Sequence, residues 1–133
     1  MSQENVEIVR AGHDTFNQRD LDGYLALHHP EEEFTPYERA IEGLGPYRGH
    51  EDVRRWWDEA FETLPDFKVE LYEIRDLGDL IFVRGCLRGH GAASEAAFER
   101  TYWGLFRVRD KRIVWWHAFQ SKAEALAAAG LRE

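Results

Sequence analysis

Arg84 and His28 are the two polar residues whose setting in this chain points most directly to chemistry. Arg84 stands in a strand-like run, residues 80–90, where Phe82, Arg84, Cys86, Arg88 and His90 form one face and Ile81, Val83 and Leu87 the other. A guanidinium facing an apolar cavity must be paired, because an isolated buried charge is costly. It points either to a bound carboxylate, enolate or developing oxyanion, or to an internal ion pair or a side chain reaching back to water. His28 closes the series Leu21, Tyr24, Leu25, His28, spaced i, i+3, i+4, i+7 along a short helix. There it is either a general acid/base tuned near neutral pH or a satisfied core histidine. His28 and His29 are adjacent, and adjacent helical residues point apart. No HxxxH or ExxH spacing supports a metal, and none is expected. Cys86 lacks an activating neighbour and reads as a small buried hydrophobe. The GLG at 43–45 lacks the strand–turn–helix context of a phosphate loop, so no cofactor is expected.

The elements that position these residues follow from periodicity. Val6, Val9, His13 and Phe16 give a first helix to about Arg19, and Asp20 caps a second that Pro30 ends. Residues 33–38 read as a short strand and 39–50, with three glycines and a proline, as loop. Val53, Trp56, Trp57, Ala60, Phe61 and Leu64 form the stripe of a third helix. After Pro65 the period becomes two. Phe67, Val69 and Leu71 alternate, then Tyr72 and Ile74 take the opposite parity, which predicts a β-bulge near Leu71. Strands follow at 80–90, 97–109 and 112–120. Ser121 with Glu124 caps a last helix closed by Gly130. Helices followed by long antiparallel strands predict a single α+β domain over residues 1–133.

The totals exclude several classes. A net charge of −8 disfavours a nucleic-acid partner. No apolar run is long enough for a membrane span. The opening MSQENVEIVR lacks the apolar core of a signal peptide, and one cysteine permits no intrachain disulfide, so a cytoplasmic location is expected.

The order and wording of four stretches, FNQRDLDGYLALHHPE, YRGHEDVRRWWDEAF, TYWGLFRVRDKRIVWW and FQSKAEALAAAGL, resemble the SnoaL-like branch of the nuclear transport factor 2-like superfamily. The resemblance covers nearly the whole chain. It implies a cone-shaped, strongly curved antiparallel or mixed sheet wrapped around N-terminal helices, an internal pocket, and a homodimer made through the sheet. Members include ketosteroid isomerase, polyketide cyclases, dehydratases and non-enzymatic domains, so fold does not decide function.

The carboxylates of these relatives are not matched. The positions of the ketosteroid isomerase tyrosine, base and protonated aspartate fall at Gly12, near Pro36 and at Gly104, with Glu38 close enough to the base to remain a substitute. The cyclase aspartate falls at Gln120-Ser121. The resemblance places the Arg84 face inside the cone, so the expected site has His28 and Arg84 as catalytic groups. Phe16, Trp56, Trp57, Cys86, Tyr102, Phe106, Trp116 and Gln120 are expected as its substrate-binding lining. Trp103, Trp115, His117 and Phe119 fall on the convex side, where a second copy would cover them. The expected function is binding of a small hydrophobic oxygenated molecule, with proton-transfer chemistry of the isomerase, cyclase or dehydratase type. The alternatives are a non-catalytic ligand-binding module and a dimeric structural domain.

Overall fold

The computed structural model describes residues 2–130. Helix α1 (Ser2–Asn17) turns through Arg19, at φ 61°, into α2 (Leu21–Leu27). The Asp20 carboxylate caps α2 by accepting from the Gly23 N–H at 3.0 Å. α2 stops earlier than its apolar spacing suggests. His28 is already extended (φ −115°, ψ 138°) and opens strand β1 (His28–Thr35). Pro30 disfavours helical backbone at His29, and β1 finds a partner from His28 onward. His28 is therefore a strand residue, not a helical one.

The glycine-rich segment expected as loop holds more structure than its punctuation shows. Helix α3 (Tyr37–Glu42) begins in the last two residues expected as strand, runs into this segment and is stopped by Gly43 at φ 69°, and β2 (Tyr47–Arg48) follows. Helix α4 (Gly49–Thr63) follows, with Val53, Trp56 and Trp57 buried along its stripe. Strands β3 (Lys68–Asp76), β4 (Ile81–His90), β5 (Ala97–Arg109) and β6 (Arg112–Phe119) then form a sheet of order β2-β1-β6-β5-β4-β3. β1 runs parallel to β6, so the sheet is mixed, curved and unclosed. The register shifts between Leu71 and Glu73, where the parity change predicts a bulge, and again between Arg107 and Val108. Such shifts bend strands and increase their twist. Helix α5 (Lys122–Ala128) closes the described chain. The Ser121 hydroxyl accepts from the Glu124 N–H at 3.1 Å, and Gly130 ends the helix at φ 80°.

Register decides which residues face the helices. β4 pairs with β5 through Ile81↔Phe106, Gly85↔Tyr102 and His90↔Ala97. Residues opposite one another share a face. Ile81, Val83 and Leu87 therefore lie on the concave side with Tyr102 and Phe106, and Phe82, Arg84, Cys86 and Arg88 lie outside. This reverses the facing expected for β4. The 91–96 connection, closed by Gly91 N–H to Ala96 O at 2.9 Å, sets the register, and a one-residue slip would invert every side chain. On β6 Trp116 and Ala118 face inward as expected, through Phe106↔Trp116 and Gly104↔Ala118, while the register shift brings Ile113, paired with Val108, to the chamber side in place of Val114.

The outer face has a core of its own. Phe82, Leu105, Ala125 and Leu126 are buried there, with Trp103, Trp115 and Phe119 packed against them. Helix α5 thus supplies part of the cover that the aromatic row suggested a second copy would give. Among the described residues no helix is long and apolar enough to cross a membrane.

Candidate functional site

The concave sheet and helices α1, α2 and α4 enclose an inner chamber of about 70 Å³. Its walls are largely aromatic. Trp116 stacks between Phe34 and Phe106, with ring centroids 5.4 and 5.7 Å away, and Phe16 stacks on Trp56 at 5.6 Å. A second, outer chamber of about 530 Å³ lies between α3, α4 and the ends of β4 and β5. The two share Tyr37, Glu38, Trp56, Phe67 and Leu87, which mark the passage between them.

Few polar groups face this space. The Trp116 indole N–H is buried in the wall and has no acceptor. Such an orphaned donor costs about 1–3 kcal/mol, which an acceptor on a ligand would recover. Tyr24 lines the chamber too, and its hydroxyl makes no hydrogen bond among the described residues. Burial holds its pKa well above the ordinary phenol range.

His13 and Tyr102 form a dyad in the wall. His13 Nδ1 lies 2.9 Å from the Val9 carbonyl, which can only accept, so Nδ1 carries the proton. Burial is the main force lowering the His13 pKa to about 4, so Nε2 is bare at neutral pH. It accepts the Tyr102 hydroxyl at 2.7 Å. The Tyr102 proton is thereby committed, and its oxygen keeps only acceptor capacity.

Glu38 stands at the passage. The residue is exposed on its outer side, and its carboxylate accepts from the Trp56 indole N–H at 3.0 Å. Burial raises its pKa above the usual carboxylate value, offset in part by hydrogen bonds from its own backbone and from Trp56. The sequence places this carboxylate at the edge of a region read as loop. The fold puts it on the first turn of α3, against a helix residue 18 positions further on.

His28 sits behind the wall. Its Nδ1 is 2.7 Å from Glu32 Oε2, both side chains are sealed, and its ring stacks on Tyr24 at 4.1 Å. His28 Nε2 and Glu32 Oε1 have no partner. A Cβ built on Gly12, which lines the chamber, would stand 3.8 Å from that Nε2. Burial raises the Glu32 pKa above its ordinary value, and His28 opposes the rise.

Of the residues expected at the site, Phe16, Trp56, Tyr102, Phe106 and Trp116 come together around the inner chamber. Trp57 is buried beside it, edge-on to Phe16 and Tyr24. Gln120 is exposed beyond the end of β6. Cys86 is buried on the outer face. Arg84 is also outside, with its side chain 40% exposed, its Nε 3.5 Å from Glu73 Oε1 and its guanidinium over the Tyr72 ring. Arg84 and His28 do not face one another across the cavity. His13 and Tyr24, absent from the expected site, do carry a signal in the chain: each is a polar-tipped ring inside an apolar helical stripe. Among the described residues no cluster of His, Cys, Asp or Glu could hold a metal ion.

Residues 9–116 match the SnoaL-like domain family. The chain belongs to that family. Among solved structures, a nuclear transport factor 2-like protein of unknown function from Burkholderia pseudomallei is 24% identical, covering 93% of this chain and 95% of that one, with a TM-score of 0.76. IdmH, a putative polyketide cyclase from Streptomyces antibioticus, is also 24% identical over 94% of this chain and 97% of its own, with a TM-score of 0.73. TerC, co-crystallized with polyporic acid, is 20% identical over 96% of this chain and 97% of its own, with a TM-score of 0.76. These likenesses show the fold. No curated protein matches the chain.

Proposed function

We propose that this SnoaL-like domain binds a small hydrophobic oxygenated molecule and moves a proton on it, in chemistry of the isomerase, cyclase or dehydratase type. One observation carries the reading: Glu38, whose carboxyl pKa is raised by burial, and Trp116, whose buried indole N–H has no partner, line the same chamber. That pairing is what proton abstraction next to a carbonyl requires. Glu38 takes the α-proton of a bound carbonyl compound. The electron pair moves onto the carbonyl oxygen, and the resulting enolate is held by Trp116 N–H and Tyr24 O–H. Glu38 then returns the proton to the same or another carbon. Glu38 is exposed on one side, and burial of the other raises its pKa, which makes it a stronger base than a fully solvated carboxylate. The polyketide cyclase and polyporic acid neighbours support a small organic ligand in this fold.

The test uses cyclic ketones that raise the melting temperature, incubated with the protein in deuterium oxide. Deuterium is expected to enter the α-position faster than in buffer. Glu38→Gln is expected to slow this by about 100-fold, the usual worth of one general base. Ketones that bind without exchange, or exchange at the wild-type rate in Glu38→Gln, would overturn the catalytic reading and leave a binding module.

A further inference from the structure

The two chambers differ in size and character. The inner one, at about 70 Å³, falls well below the roughly 300 Å³ at which organic-ligand sites begin, whereas the outer holds about 530 Å³. A ligand seated in the inner chamber must therefore extend through the passage at Glu38 and Trp56. What it meets outside is set by one cation on the sheet wall. Arg100 lies on β5 opposite Leu87, which borders both chambers.

Arg100 is unlike the other arginines of β3, β4 and β5. Arg75 and Arg84 pair with Glu73, Arg88 with Glu70 and Glu99, and Arg107 and Arg109 with Asp79. Among the described residues Arg100 has no carboxylate partner. Its Nη1 donates to the Glu99 carbonyl at 2.9 Å, and its guanidinium rests 5.2 Å from the Phe98 ring centroid. The remaining donors of its planar fork are uncommitted. The acids of the outer chamber, Glu42 and Glu59, stand on the helical wall with Glu38, which Trp56 already engages. Arg39, on that same wall, is tied to the Gly45 carbonyl at 2.7 Å and lies over Tyr47. In a chain of net charge −8, the unpaired cation on the sheet wall is the feature an anion would recognise.

We infer that the ligand is an amphipathic anion: its apolar, oxygenated body enters the inner chamber, and its carboxylate or other anionic group stays in the outer chamber against Arg100. This rests on the ligand-site reading of the inner chamber. The guanidinium fork suits a planar two-oxygen anion. Arg100 is solvent-exposed at the rim of that chamber, beside Phe98 and Leu87, so the pairing is of the modest, surface kind.

Two fluorescent probes of nearly the same shape separate the claims: anilinonaphthalene sulfonate, an anion, and N-phenylnaphthylamine, which is neutral. Both are titrated into the wild type, Arg100→Gln and Arg100→Lys at matched melting temperature. Arg100→Gln is expected to weaken the sulfonate about five- to ten-fold and the neutral probe less than about two-fold. Arg100→Lys keeps the charge but not the fork and should recover part of the loss. Equal weakening of both probes, or none of either, would overturn the anion assignment while leaving the cavity reading standing. If neither probe binds the wild type, the cavity reading fails and the inference with it.

Discussion

Replacing His28 by leucine is expected to destabilise the protein by about 3 kcal/mol near neutral pH, and replacing Glu32 by leucine in the same chain should restore most of that loss. The pair is sealed, and its 2.7 Å contact is the only hydrogen bond either side chain makes among the described residues. Removing His28 leaves the Glu32 carboxyl buried with both oxygens unpartnered. Its pKa, already raised by burial, then rises further, because the two influences of His28 that lower it are gone. A carboxyl whose folded pKa is raised contributes stability below its unfolded value and loses it as pH rises through the folded value. The penalty in the single variant should therefore grow from mildly acidic pH toward neutrality and above. Removing both polar groups removes the desolvation cost along with the contact, so the double variant should lie close to the wild type. Urea denaturation of the two singles and the double measures this as a cycle. A double variant no more stable than His28→Leu would show that lost packing on Tyr24, not the unpaired carboxyl, sets the cost.

The second large effect lies in the His13–Tyr102 dyad. His13 has a folded pKa of about 4 against an ordinary 6.5, with burial the first cause. A depressed pKa contributes stability that is full above the unfolded value and is lost as pH falls through the folded one. The loss should run from pH 6.5 down to about 4 and amount to about 3 kcal/mol, since each tenfold change in proton affinity is worth roughly 1.4 kcal/mol. The groups facing His13 are Tyr102 and Phe106 from the sheet, His28 from β1, and Arg10 and Asp14 from its own helix. Glu32 titrates with the opposite sign, so the measurement is the difference between wild type and His13→Gln at each pH. That difference should shrink by about 3 kcal/mol across the window. A difference independent of pH would mean that His13 is protonated in the folded protein or that its proton is unlinked to folding.

Much of the architecture is legible in the chain because its signals are local. The stripe Val53, Trp56, Trp57 gives α4, the parity switch at Leu71 gives the bulge, and Ser121 gives the start of α5. The inward face of β5 and β6 is equally legible, so Tyr102, Phe106 and Trp116 reach the chamber as expected. β4 is different. It is apolar on both faces, with Ile81, Val83 and Leu87 toward the helices and Phe82 and Cys86 on the outer side. When both faces are covered, alternation no longer tells inside from outside, and only the register through the 91–96 connection decides. Arg84 falls outside the site for that reason. His28 fits both the helical spacing of α2 and the first pairing position of β1, and the neighbouring Pro30 tips it to the strand. Glu38 acquires its character from Trp56, a contact no local pattern records.

The aromatic chamber inside the sheet, rather than the sheet's outer face, is where a small molecule should bind. The chain's five tryptophans divide between these places: Trp56 and Trp116 line the chamber, Trp57 is buried beside it, and Trp103 and Trp115 pack under α5. Nitrogen-15 correlation spectra of the indole N–H groups therefore report the binding side directly. Titration with a panel of small phenols and cyclic ketones should shift the Trp116 and Trp56 resonances, Trp116 most because its N–H has no partner to lose. Trp103 and Trp115 should stay in place. Shifts confined to Trp103 and Trp115, or no shift at Trp116 with any member of the panel, would contradict binding in the chamber.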